Sequence, residues 1–251
     1  MARVAQLRGI APISHSTVAL ILRDADLQPH RYRYWKTPTP GETFRHQAAR
    51  ILWCYEHAQT LARRNEVVLC LDEKPNIQVL ERRCLTHPMK PGLIEKQEFE
   101  YVRHGTVNFL AKLVVHSGRM RGWCLERNDG ACLRAVLPQV LGEHDNARRI
   151  HLIWDGGPSH AAQETLDFLH SNYPHVRVLF TPAHASWLNQ AELLLRAFAA
   201  HYLQRGSWAS RDELIEHLDA SWPEYNRLYA HPFTWSWTRA KMHEWVDRHL
   251  S

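Results

Sequence analysis

Val67-Val68-Leu69-Cys70-Leu71-Asp72 is a continuous apolar run that stops on a carboxylate, and Ile150-His151-Leu152-Ile153-Trp154-Asp155 repeats the pattern later in the chain. Runs of this length, apolar throughout in the first and broken only by His151 in the second, fit buried strands. Between them lie three further strand-like stretches, at 99–103, 107–116 and 119–125, with a turn at Ser117-Gly118. They predict an antiparallel meander. After Asp155, Gly156-Gly157-Pro158 turns the chain, and Ser159 is placed to cap a helix reaching about residue 171. Val176-Arg177-Val178-Leu179-Phe180 supplies another strand, stopped by Thr181-Pro182.

Helices fill the rest. A long one is expected over 42–63, another over 130–141, and one starting near Asn189. In the last, Ala191, Leu194, Leu195, Phe198, Ala199 and Tyr202 recur at helical spacing. Two more are expected at 210–226 and 238–249. Nearer the start, Ser14 or Ser16 can cap a short helix over 14–26. The linker His30-Arg31-Tyr32-Arg33-Tyr34-Trp35-Lys36 follows, then Pro38, Pro40 and Gly41, which place a boundary near residue 40. The order of elements predicts an α/β fold, a mixed sheet flanked by helices.

Bulk composition agrees with a folded domain. The 251 residues are 45% hydrophobic and 10% aromatic, enough for a sizeable core. Thirty-one Lys and Arg against 26 Asp and Glu give a formal charge of +5, which permits a polyanionic partner without requiring one. No stretch approaches the ~18 apolar residues of a membrane span, and no signal peptide opens the chain, so a cytoplasmic location is expected. The five cysteines, Cys54, Cys70, Cys84, Cys124 and Cys132, form no C-x-x-C pair and read as free thiols.

Asp72 and Asp155 each follow an apolar strand, at the sheet edge where ligands gather in open α/β folds. On neighbouring strands their charges would repel unless a cation neutralised them, and carboxylate oxygens suit magnesium or manganese. Each is equally readable as a turn former or helix cap. Glu192 lies near the start of the helix after the next strand and could complete a metal site. Asn189-Gln190-Ala191-Glu192 also reads as an N-cap with Glu three residues on, a capping box. Glu73, Glu164 and Asp167 are competing ligands on spacing alone.

Three blocks resemble the DDE-type transposases of bacterial insertion sequences in the mariner superfamily. They are Val68-Leu69-Cys70-Leu71-Asp72-Glu73-Lys74 with Ile77-Gln78, Ile150 to Asp155 with Gly157-Pro158-Ser159-His160, and the most specific, Phe180-Thr181-Pro182-Ala183-His184-Ala185-Ser186-Trp187-Leu188-Asn189-Gln190-Ala191-Glu192. The resemblance spans about residues 14–237. It implies a ribonuclease-H-like catalytic domain at 41–251, preceded at 1–40 by the remnant of a helix-turn-helix DNA-binding region, so that the chain reads as N-terminally truncated. It implies Asp72, Asp155 and Glu192 as catalytic residues and ligands of two divalent ions, Mg²⁺ or Mn²⁺. It also implies cleavage at the terminal inverted repeats of an element, strand transfer of the 3′-hydroxyl into target DNA (often at TA), a homodimer, and a nucleoid-associated place of action.

The chain departs from the family pattern in having Gly156 where an Asn is usual and Leu193-Leu194-Leu195 where an aromatic residue and a Ser are usual. An inactive remnant that only binds DNA or dimerises is the alternative reading; a metal-independent glycosidase built on an acid pair is a third. Arg31, Arg33 and Lys36, interleaved with Tyr32, Tyr34 and Trp35, are candidate DNA contacts, or a linker packed on the domain by its rings. His160 and His184 are candidate DNA contacts or structural histidines. Trp187 reads as core, and Arg63-Arg64, Arg82-Arg83 and Arg148-Arg149 as solvated surface with phosphate contact as the other reading.

Overall fold

The computed structural model describes residues 9, 12–24, 41–84, 87, 90–96, 98–204 and 206–250. The chain divides into two compact units, Met1–Thr37 and Pro38–Ser251. In the first, helix α1 (His15–Asp24) buries none of its residues. Ser14 caps it, its hydroxyl accepting from the Thr17 amide at 3.0 Å. Arg31, Arg33 and Lys36 lie outside the described residues.

The second unit is built on a five-stranded sheet of order β3-β2-β1-β4-β5. Its strands are β1 (Glu66–Arg82), β2 (Tyr101–Val114), β3 (Arg119–Leu125), β4 (Arg149–Trp154) and β5 (Val176–Phe180). β1, β2 and β3 form the expected antiparallel meander, and β4 and β5 continue the sheet parallel to β1. Val67 to Leu71 of β1 and Ile150 to Trp154 of β4, His151 included, are buried at every position because both faces are covered.

Strand alternation sorts the side chains into two cores. Val68 and Cys70 of β1, Ile153 of β4 and Leu179 of β5 face helices α2 (Glu42–Arg63), α6 (Gln190–Tyr202) and α7 (Arg211–Tyr229). Val67, Leu69, Leu71, Leu152 and Trp154 face α3 (Gly130–Gly142) and α5 (Gln163–Asn172). α2 is apolar on two sides, and its second stripe, Phe44, Ala48 and Leu52, packs on Met242 and Val246 of α8 (Arg239–Leu250).

Three expectations are corrected. β1 does not end at Asp72. It loses its parallel neighbour after the Cys70↔Ile153 pair but keeps β2 alongside to Arg82, so the ladder has a reason to continue. Pro75 is tolerated because the register shifts between Lys74 and Ile77, with Asn76 in the left-handed region at φ 54°. The stretches at 99–103 and 107–116 are likewise one strand, running through Gly105, whose φ of 96° suits glycine alone. The helix after Asp155 is split into α4 (Pro158–Ala161) and α5, because Ala162 is extended (φ −60°, ψ 135°). Gly157, not Ser159, occupies the cap position of α4, and Pro158 takes the first helical position.

Candidate active site

Register brings the first two carboxylates together. Glu66 pairs with Arg149 and Cys70 with Ile153 along the parallel β1–β4 ladder, so Asp72 and Asp155 stand at the same level two residues beyond its last pair. Asp72 shares the pleat phase of Val68 and Cys70, and its partner on β2 is Ala111, a residue of the core under α2 and α6. Asp155 follows the pleat phase of Ile153, so both acids lie on the side of the sheet covered by the helical layer that carries Glu192.

Glu192 is delivered by the start of α6. Asn189 is its N-cap, with Oδ1 accepting from the Ala191 amide at 3.1 Å. The same side chain donates from Nδ2 to the Leu71 carbonyl at 2.6 Å, tying the helix to the strand residue just before Asp72. The capping box does not close. The Asn189 amide instead donates to the Ser186 carbonyl at 2.7 Å, from the 3₁₀ turn Ser186–Leu188. That leaves the Glu192 carboxylate free of the capping role the spacing allowed. It lines, with Asp72, Glu73 and Arg196, an open cavity of about 840 Å³.

Asp155 is held on the other side. Its Oδ1 accepts from the Gly157 amide at 3.0 Å and makes a short contact with Nδ1 of His160. The opposite ring nitrogen of His160 meets Glu73 Oε1 at 2.8 Å, and its ring stacks on Trp154 with centroids 4.2 Å apart. Gly157 belongs here for space: a Cβ on it would sit 3.0 Å from Asp155 Oδ1. Gly156 has no such demand, since nothing lies within 4 Å of a Cβ placed on it.

Electrostatics follow from this placement. Burial, then the charges of Glu73, Asp155 and Glu192, push the Asp72 carboxyl up to about 7. The His160 hydrogen bond holds Asp155 below the usual range. His160 itself is raised to about 9: burial opposes its charge, and its bonds to Asp155 and Glu73 outweigh that.

Three hard oxygen donors whose charges repel one another suit a divalent cation such as Mg²⁺ or Mn²⁺. Among the described residues, however, no three His, Cys, Asp or Glu side chains stand as a closed metal-ligand group. Asp155 is engaged by His160 and the Gly157 amide.

Among the competing acids, only Glu73 belongs to this site. Glu164 lies 3.7 Å from Arg134, and Asp167 accepts from Gln163. His160 is buried with both ring nitrogens engaged, which suits a support of Asp155 better than a contact to DNA. His184 is exposed in a left-handed turn (φ 61°) after β5. Trp187, expected in the core, is 37% exposed and edge-packed on Trp237. Sequence reading missed Asn189 as the tie between α6 and β1, Arg196 in the cavity, and Glu73 as the partner of His160. The first two had a signal: a cap residue three positions before Glu192, and a cation one helical turn after it.

This sheet, with paired acids on its two central parallel-linked strands and a third on the covering helix, is a ribonuclease-H-like nuclease core. Residues 67–215 match the model of the DDE superfamily endonuclease, and the chain belongs to that family. No curated protein matches the sequence. Among solved structures the chain is similar to the Mos1 transposase paired-end complex with left transposon end, at 19% identity and a TM-score of 0.56, covering 98% of this chain and 71% of that one. It is also similar to the Mos1 mariner paired-end complex with Mn, at 16% identity and a TM-score of 0.54, covering 89% and 72%. At these identities the likeness is one of fold.

Proposed function

We propose that this chain is a mariner-type DNA transposase, cutting DNA at the ends of an insertion element and joining the freed 3′-hydroxyl to target DNA, at TA in the family pattern. The observation that carries this reading is the shared register level of Asp72 and Asp155, with Glu192 of α6 lining the same cavity as Asp72. Residues 41–251 form the catalytic domain. Residues 1–40 are a DNA-binding segment in which Arg31, Arg33 and Lys36 meet the backbone, with His184 a further contact. The partners are double-stranded DNA and a second copy of the chain. Among the described residues no helix is long and apolar enough to cross a membrane, and the reading places the protein on cytoplasmic, nucleoid DNA.

Asp72, Asp155 and Glu192 would hold two divalent ions, which when bound activate the attacking oxygen and stabilise the leaving one. The chain's own groups do the rest. Asn189 fixes the helix start against the strand, so Glu192 is aimed rather than free. His160 and Gly157 orient Asp155. Arg196 and Lys74, on the cavity wall, offer cations to the scissile phosphate's neighbours.

Strand joining tests the proposal. A labelled duplex with free 3′-hydroxyl ends, incubated with circular plasmid in Mg²⁺ or Mn²⁺, should yield labelled plasmid. Asp72→Ala and Glu192→Ala should each abolish the product. Wild-type joining by either variant removes that residue from the site.

A further inference from the structure

A second cluster of chemistry lies at the other end of the same strands. An open cavity of about 480 Å³ is lined by Arg50, Arg149, Arg177 and Arg239, with His46 and His151, and no carboxylate lines it. The elements explain the convergence. Arg149 and His151 on β4 share the pleat phase of Ile153, and Arg177 on β5 shares that of Leu179, so all point toward α2. On α2, His46, Arg50 and Trp53 fall at i, i+4 and i+7 and form one stripe.

Some of the wall charge is paired within the fold and some is not. Arg239 is tied to Glu56 at 2.6 Å, and His151 to Glu66 at 3.0 Å. Arg177 spends one nitrogen on the carbonyls of Pro174 and Val176, at 2.8 and 3.1 Å. Arg50 and Arg149 are exposed and, among the described residues, in no ion pair. Trp53 forms an aromatic shelf beside them. It is 37% exposed and stacks on His57 with centroids 4.8 Å apart at 22°.

We infer that this basic, aromatic-edged pocket is a second nucleic-acid site, gripping a phosphodiester backbone with Arg50, Arg149 and Arg177 and stacking an unpaired or end base on Trp53. Guanidinium forks match phosphate oxygens, and Trp53, stacked on His57 and 6.3 Å from the His151 ring, keeps 37% of its surface exposed for a base. The six residues of β4 separate Arg149 from Asp155 by about 20 Å. At about 3.4 Å per base pair that is roughly six pairs. A duplex reaching from one site to the other would have to span at least that length. The inference takes DNA as the partner from the proposed function, but its test does not depend on cleavage.

The test is duplex binding followed by fluorescence anisotropy at several salt concentrations, with the full chain. Each phosphate contact contributes about 0.9 to the slope of log Kd against log salt. Arg50→Gln, Arg149→Gln and Arg177→Gln together should lower that slope by roughly 2–3, and each alone by about 0.9. A control with the same charge change elsewhere (Arg119→Gln, Arg211→Gln, Arg227→Gln) should lower it by less than one contact. Trp53→Ala should weaken binding at least about fivefold with the slope kept, and more on single strands. An unchanged slope in the pocket triple, or equal falls in both triples, overturns the inference. So does thermal stabilisation of the wild type by inorganic phosphate equal to that by duplex, which would make this a small-anion site. A pocket-dependent slope without strand cleavage leaves this site standing and removes the nuclease reading; cleavage with an unaltered slope does the reverse.

Discussion

Replacing Asn189 by Ala should cost both stability and the site. Asn189 is 1% exposed and makes two hydrogen bonds that no water can replace. Losing the cap on the Ala191 amide costs about 1 kcal/mol, as helix caps do. Losing the donor to Leu71 leaves a buried carbonyl beyond the end of the β1–β4 ladder without its partner, a further loss of about 1–3 kcal/mol. The sum is roughly 2–4 kcal/mol, or about 4–16 °C in melting temperature for a domain of this size. Asn189→Ser keeps an acceptor for the cap and should recover about 1 kcal/mol of it. Urea unfolding of the three proteins, with the slope unchanged between them, reads these differences directly. A loss below about 1 kcal/mol for the Ala variant, or a Ser variant no better than Ala, would refute the account of how α6 is anchored beside Asp72.

Three further predictions concern the scaffold. Gly122→Ala puts a Cβ 2.0 Å from the Phe109 ring, itself fully buried and stacked on Phe198, so it should cost at least about 2 kcal/mol in the same unfolding assay. Lys112 is 1% exposed, donates to the Val140 carbonyl at 2.9 Å and pairs with Glu143, which Arg121 also contacts. Glu143→Ala strands a buried ammonium while Lys112→Met leaves Glu143 with Arg121, so the first should be the more destabilising; the opposite order would contradict the pairing. Burial, then the Lys112 charge, depresses His144 from 6.5 to about 4, with Glu143 opposing and His116 adding to the shift. The unfolded chain therefore binds the extra proton between these values, and stability should fall as pH drops from 6.5 to 4. In His144→Gln that part of the pH dependence should be missing from melts taken across the window.

Much of this arrangement was legible in the residues. The runs ending at Asp72 and Asp155 marked the central strands because burial on both faces leaves no polar phase. The pattern from Ala191 to Tyr202 marked α6 because one helical stripe meets the sheet. What the pattern did not fix was where pairing stops. β1 outlasts its apolar run because β2 still offers hydrogen bonds past Asp72, a property of the neighbour rather than of the strand. The break at Ala162 was hidden for a similar reason. Local signals favoured one helix, while His160 had to turn back onto Trp154, Asp155 and Glu73. The choice between capping and site for Glu192 could not be made from spacing, since both use the third residue after Asn189. The fold adds one fact: the Ser186 carbonyl takes the amide that the carboxylate would otherwise have capped, so the capping box stays open.

The account's central claim is that the carboxylates form a metal-dependent nuclease centre, and the direct measurement is nicking of supercoiled plasmid by the purified chain in Mn²⁺, beside Asp155→Ala. The account predicts open-circular product from the wild type, none in chelator, and none from the variant at equal folding. Nicking by Asp155→Ala at the wild-type rate, or a folded wild-type protein that leaves the plasmid supercoiled, would contradict it.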